Sequence, residues 1–272
     1  MEADLQYVEN LDLTNSERPM FNVLKATLQY PANPQAKAIK FAHDINFFYE
    51  SSDEDIEILW DAWYLVLDIA ASIPSGHQWQ DSLLQSLDIL QKRDKPTFKH
   101  DGSPIWKDLP YFGEAVREKW FDPAGSGEDS EELRKLLSRW KNLNSFIARL
   151  ARNGILPGIM YPIWQLRKAL EEPPIRGPAL ECQIWVASEW ILNYADSIFE
   201  EMNCKDEVDE DTARILRGGS LYKGKSPLSL ERWSFWKNRF SELSANATSL
   251  GLDSAITTRI SEALKSMDDI EA

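Results

Sequence analysis

Ile56-Glu57-Ile58-Leu59-Trp60-Asp61-Ala62-Trp63-Tyr64-Leu65-Val66-Leu67-Asp68-Ile69-Ala70-Ala71-Ser72-Ile73 is the longest apolar run in the chain. Only Glu57, Asp61 and Asp68 put charge into it. On a helical wheel these three make one polar edge, and the rest is apolar nearly all round. Three carboxylates are too many for a membrane span, so the stretch reads as a helix in the middle of a bundle. The spacing predicts a helix over 53–73, with Ser51-Ser52-Asp53 as its N-cap cluster and Pro74 as its stop.

Helical periodicity continues on both sides of this run. Further helices are expected over 19–29, 35–49, 78–90, 111–120, 130–153, 164–170, 179–202, 229–247 and 254–267. Pro31 and Pro34 break the chain early, and Asn153-Gly154 is a C-terminal stop signal. Residues 91–105 read as a polar loop, 122–130 as a flexible loop, and Glu172-Pro173-Pro174 with Gly177-Pro178 as a rigid break. No run alternates cleanly between apolar and polar residues, and Asp101-Gly102 reads as a plain turn. No internal repeat of fixed period is visible. The expected fold is therefore all-α: a single-domain multi-helix bundle of about nine or ten helices over 1–272, with 53–73 and 179–202 near its centre.

The chain has 272 residues, a net charge of −14 and 11 tryptophans. That length buries a large core without disulfides or metal. The acidity argues against nucleic-acid and anionic-membrane partners. So many indoles imply either a thick core or an aromatic-lined pocket, because each carries an N–H that wants an acceptor. The two cysteines, Cys182 and Cys204, lie on one expected helix, too far apart to bond to each other. With no signal-like segment after Met1, they fit a soluble protein of the cytoplasm, with the nucleus left open.

The common catalytic signatures are missing. His43, His77 and His100 fall in different elements, without a partner at metal-ligand spacing, so no metal and no cofactor are expected. Gly219-Ser220-Leu221-Tyr222-Lys223-Gly224-Lys225-Ser226 matches a phosphate-loop pattern. Such a loop needs a strand before it and a helix directly after it. Here 211–217 reads as helical, and Pro227 follows at once.

Charge is unevenly spread. From 217 to 240 six basic residues (Arg217, Lys223, Lys225, Arg232, Lys237, Arg239) face one acid, Glu231, among interleaved aromatics. Trp233, Trp236, Phe240 and Leu243 share a helix face with Arg232 and Arg239 beside it. One reading is a core stripe whose arginines pair with acidic neighbours. The other is an aromatic and basic pocket for an anionic or planar ligand. Asn144 falls inside the apolar stripe of 130–153, as a core amide that fixes register or as a polar group in a pocket. Glu57, Asp61 and Asp68 are a surface stripe, partners for those arginines, or a carboxylate set in a cleft.

Six motifs then stand in order: Gly76-His77-Gln78-Trp79-Gln80-Asp81, Trp106-Lys107-Asp108-Leu109-Pro110, Arg117-Glu118-Lys119-Trp120, the stretch from Trp140 to Leu150, Ala187-Ser188-Glu189-Trp190-Ile191, and the stretch from Leu230 to Phe240. Together they resemble the fungal domain-of-unknown-function family 3632 over roughly residues 40–245. The family pattern has Pro after the histidine, where this chain has Gln78. The resemblance implies a soluble, mostly helical fungal protein, and it carries no activity, cofactor or catalytic residue.

The leading expectation is a non-catalytic binding or interaction protein, with an unknown protein partner or a small-molecule ligand. Its candidate ligand-binding residues are Asn144, Arg149, Arg232, Trp233, Trp236 and Arg239. An accessory enzyme acting on a small metabolite in fungal secondary metabolism is the second reading; a closed pocket holding a carboxylate pair would mark it. A nucleotide binder working through 219–226 is the third.

Overall fold

The computed structural model describes residues 3–53, 55–93, 99–100, 103–125, 129–204 and 208–272. Fourteen α-helical segments are present among them. Nine of these have eight residues or more, and α1, α6 and α13 are single turns, so the count exceeds nine or ten only through short pieces. The fold is all-α. Among the described residues the one extended pairing is two residues long on each side, Lys99–His100 against Ser103–Pro104.

The chain divides into two compact units, Met1–Phe121 and Asp122–Ala272. The first holds α1 (Gln6–Glu9), α2 (Glu17–Gln29), α3 (Pro34–Ser51), α4 (Ile58–Ser72), α5 (Gln78–Gln91), α6 (Ile105–Asp108) and α7 (Phe112–Lys119). Helix α4 is its hub and packs on α1, α2, α3, α5 and α7. Ten of its fifteen residues are buried, as its all-round apolar wheel requires. Asp68 is buried with them and pairs with Lys119 at 2.7 Å, while Asp61 accepts from the Ser16 hydroxyl at 2.6 Å. The polar edge of this helix is thus served locally.

The start of α4 differs from expectation. Ser51 ends α3, the Ser52 N–H donates to the carbonyls of Phe48 and Tyr49, and Asp53 takes a left-handed φ of 56°. The Ser-Ser-Asp cluster therefore closes one helix instead of opening the next. Serine and aspartate bond backbone groups at either end, so composition leaves the direction open. Leu109 and Tyr111, on either side of Pro110, also have positive φ, 43° and 64°. Their surroundings hold them there: Leu109 is buried, the Trp63 Nε1–H donates to the Pro110 carbonyl at 2.7 Å, and Trp60 stacks on Tyr111 at 5.1 Å.

The second unit runs through a 3₁₀ turn at Pro123–Gly125, α8 (Glu131–Arg152), α9 (Met160–Leu166), a π-helical turn at Arg167–Glu171, α10 (Pro178–Asn203), α11 (Glu210–Ile215), α12 (Leu230–Ala245), α13 (Ala247–Leu250) and α14 (Ser254–Glu271). Of the expected flexible loop 122–130, residues 126–128 lie outside the described residues. Ser130 caps α8 through the Leu133 N–H, and Gly154, at φ 72°, ends it as anticipated. Gly177 turns with positive φ, and Pro178 starts α10 at a position where its missing N–H costs nothing. Helix α10 is the hub, against α8, α9, α12 and α14. It kinks at Tyr194, whose φ of −139° leaves the helical range.

The buried indoles are mostly core. Trp63, Trp106, Trp190, Trp233 and Trp236 are almost fully buried. Each ring N–H has an acceptor: the Pro110 carbonyl, Asn46, Asn144, Glu271 and Glu171 in turn. The thick-core reading of the Trp content accounts for all five.

Candidate functional site

The aromatic part of the island folds inward with Arg232, while Arg217, Lys223 and Lys225 stay exposed. Past α9 the helix widens into its π turn, and Glu171 at the end of that turn has 0 % exposure. Arg232, on the first turn of α12, also has 0 % exposure and meets it. Arg232 Nε donates to Glu171 Oε1 at 2.6 Å and Nη2 to Oε2 at 3.1 Å. Nη1 donates to the carbonyls of Leu216 and Pro227, both at 2.6 Å, and Nη2 also to that of Arg217 at 3.3 Å. All five guanidinium donors are thus engaged by protein acceptors. Glu171 additionally accepts from the Trp236 indole and from the Gly219 N–H, each at 2.6 Å. The Arg232 guanidinium lies over the rings of Trp236 and Tyr222. Arg167, beside them, is held below its usual range by burial and then by the charges of Arg232 and Arg217.

This network decides what the phosphate-loop match means. The loop follows helix α11, and the next helix, α12, begins only at Leu230. Its first N–H groups are occupied by carboxylates: Gly219 donates to Glu171, and Ser220 donates to Glu172 through N–H and hydroxyl. A Cβ at Gly219 would stand 2.7 Å from the Glu171 carbonyl oxygen, so glycine there serves the close approach of the loop to Glu171. The loop cradles an internal carboxylate where the pattern suggested a phosphate.

The other candidates are also placed. Trp233 donates to Glu271 at 2.6 Å, and Lys237 to the same carboxylate at 2.6 Å, tying α12 to the end of α14. Arg239 donates to the Leu170 carbonyl at 3.0 Å and pairs with Glu242. Asn144, fully buried on α8, donates to the Trp140 carbonyl and accepts from the Trp190 indole on α10, both at 3.0 Å. Arg149 donates to the Ser145 carbonyl at 3.4 Å. The six residues thus form two groups: Asn144 and Arg149 on α8 beside α10, and the α12 set around Glu171 and Glu271. Cys182, on α10, is buried, and burial pushes its thiol up to about 12, far from a nucleophile's range.

Sequence reasoning missed two features. Glu171 falls between the expected helix 164–170 and the break at Glu172-Pro173-Pro174; its place at the end of the stripe Ile163, Leu166, Ala169, Leu170 is the available signal. The second is a groove of about 510 Å³ in the first unit, lined by Val23, Ala26, Tyr30, Ala36, Lys37 and Lys40 among others. Its walls are apolar, and Tyr30, 67 % exposed, stands at its edge. Lys37 is only 6 % exposed. Its ammonium donates to the Leu28 carbonyl and lies 5.4 Å from the Trp79 ring centre. Burial holds it below the usual lysine range. Lys40 pairs with Asp44, which also accepts from the Thr27 hydroxyl at 2.7 Å. The signal for Lys37 was its register, on the buried stripe of Phe41 and Ile45.

No group of three or more His, Cys, Asp or Glu is placed to hold a metal ion among the described residues. No helix among them is long and apolar enough to cross a membrane. The molecule is an all-α, Trp-rich helical protein in which Arg232, Lys237 and Arg239 of the basic island pair with carboxylates, and it carries an apolar groove. The model of the family described as "Protein of unknown function (DUF3632)" matches residues 63–240, and the chain belongs to that family. The match runs from α4 to α12 and includes all six motifs quoted above. No curated protein and no solved structure matches the chain.

Proposed function

We propose that this chain is a non-catalytic binding protein of the cytoplasm whose ligand site is the groove between α2 and α3. The groove carries the reading. Its volume of about 510 Å³ falls within the range of small-molecule sites, which are largely apolar with a few placed polar groups. The basic and aromatic island supports the choice by contrast, because Arg232 has every donor engaged internally. Both cysteines are free, in keeping with a reducing compartment. The net charge of −14 disfavours a nucleic-acid partner.

Native mass spectrometry of the purified full chain tests this. The expected result is a 1:1 complex with a small apolar molecule, either co-purified or added as decanol. An Ala26→Trp variant, which fills the groove, loses it. A parent protein that carries no adduct and takes up no decanol overturns the reading.

A further inference from the structure

We infer that the α2–α3 groove takes a free straight-chain monocarboxylate, its hydrocarbon tail along Val23, Ala26, Tyr30 and Ala36 and its carboxylate at Lys37 and Lys40. This rests on the binding reading above and adds the ligand's chemistry to it.

Among the described residues the charges on this wall do not balance. Lys40 has Asp44 as its counter-ion, and Thr27 has its hydroxyl on the same carboxylate. Lys37 is the more deeply buried of the two lysines, yet among the described residues it meets a backbone carbonyl and an indole face and no carboxylate. An ammonium taken out of water without a counter-ion is costly. A carboxylate beside it would supply that counter-ion in a charge-assisted hydrogen bond, which is among the stronger polar contacts. The first turn of α3, which contributes Ala36 and Lys37 to the groove, adds the positive end of its helix dipole.

The remainder of the lining selects the tail. Alanine, valine and the face of the tyrosine ring offer no acceptors or donors, and the Thr27 hydroxyl is already given to Asp44, so the amides of a peptide backbone would be stranded along this wall. An alkyl chain loses nothing there and gains from leaving water. One uncompensated cation matches one carboxylate, so a monocarboxylate fits the wall better than a more highly charged anion.

Isothermal titration calorimetry on the full chain, with decanoate and decanol below their aggregation limits, separates the claims. Decanoate should bind one to one and at least about tenfold more tightly than decanol, as one charge-assisted contact implies. Lys37→Met should bring the two ligands within about threefold of each other, and Lys40→Gln should weaken decanoate less. Ala26→Trp should abolish both. Equal binding of decanoate and decanol by the parent overturns the carboxylate assignment and leaves the groove reading standing. No binding of either overturns both. An undiminished preference in both lysine variants overturns the headgroup position. A peptide with an apolar C-terminus that binds more tightly than decanoate overturns the ligand class. Should Lys37→Met fail to fold, the parent's ratio and Lys40→Gln decide.

Discussion

Arg232 and Lys37 are both cations withdrawn from water, one in each compact unit, and their surroundings are opposite. Arg232 meets a carboxylate in a two-bond fork, three carbonyls and two aromatic faces. Lys37 meets one carbonyl and one indole, and it lines a cavity. The planar guanidinium has donors fixed in directions that a folded chain can match one by one, so it can be fully absorbed. The lysine has a compact charge at the end of a flexible stem, and here its stem is buried while its charge has no carboxylate beside it among the described residues. A buried cation that the protein itself satisfies is architecture. One left uncompensated at a cavity wall can still do work on a ligand.

The largest test of this contrast is Glu171→Ala. It leaves the Arg232 charge buried and uncompensated and releases Gly219 and Trp236. Urea denaturation should show a loss of about 3–5 kcal/mol. A loss below about 1 kcal/mol would mean that water reaches Arg232 and that the contrast is false. Next comes Asn144→Ala, which strands the Trp190 indole N–H between α8 and α10. The expected loss is about 1–3 kcal/mol by the same measurement. Lys37→Met should behave differently: it removes a desolvated charge and keeps the stem, so the melting temperature should stay level or rise. A clear fall would show that the Leu28 carbonyl contact holds α2 to α3 and would erase the distinction. The smallest effect belongs to Lys225→Ala, on the exposed part of the loop. Stability should change by less than about 0.5 kcal/mol. Calorimetry should find no ATP binding in either form; ATP binding that is lost in the variant would restore the phosphate-loop reading.

Much of the fold was legible because amphipathic helices announce themselves locally. The run from Ile56 to Ile73 gave the hub of the first unit, and Asn153-Gly154 gave the end of α8. Ser51-Ser52-Asp53 went the wrong way, because a short polar side chain caps whichever end the chain geometry presents. The left-handed Leu109 and Tyr111 carried no local sign at all. Their conformations depend on Trp60 and Trp63, some fifty residues earlier in the chain. The candidate site is legible as a composition, six basic residues among aromatics, and that composition fits a core stripe and a pocket alike. Arg232 is the clearest case. Its side chain was visible in the sequence, but its acceptors were not, since Glu171 lies 61 residues away.

The sequence by itself determined the all-α class, the principal helices, the buried stripes and the family. These depend on period, capping chemistry and motif order, all of which are local or ordered along the chain. Only the tertiary structure decided which charges are neutralised. It put Glu171 inside the glycine loop and in the fork of Arg232, and among the described residues it left Lys37, beside an apolar groove, without a carboxylate. Charge compensation acts over a few ångströms between residues far apart in sequence, so it is set by packing and by nothing that can be read along the chain.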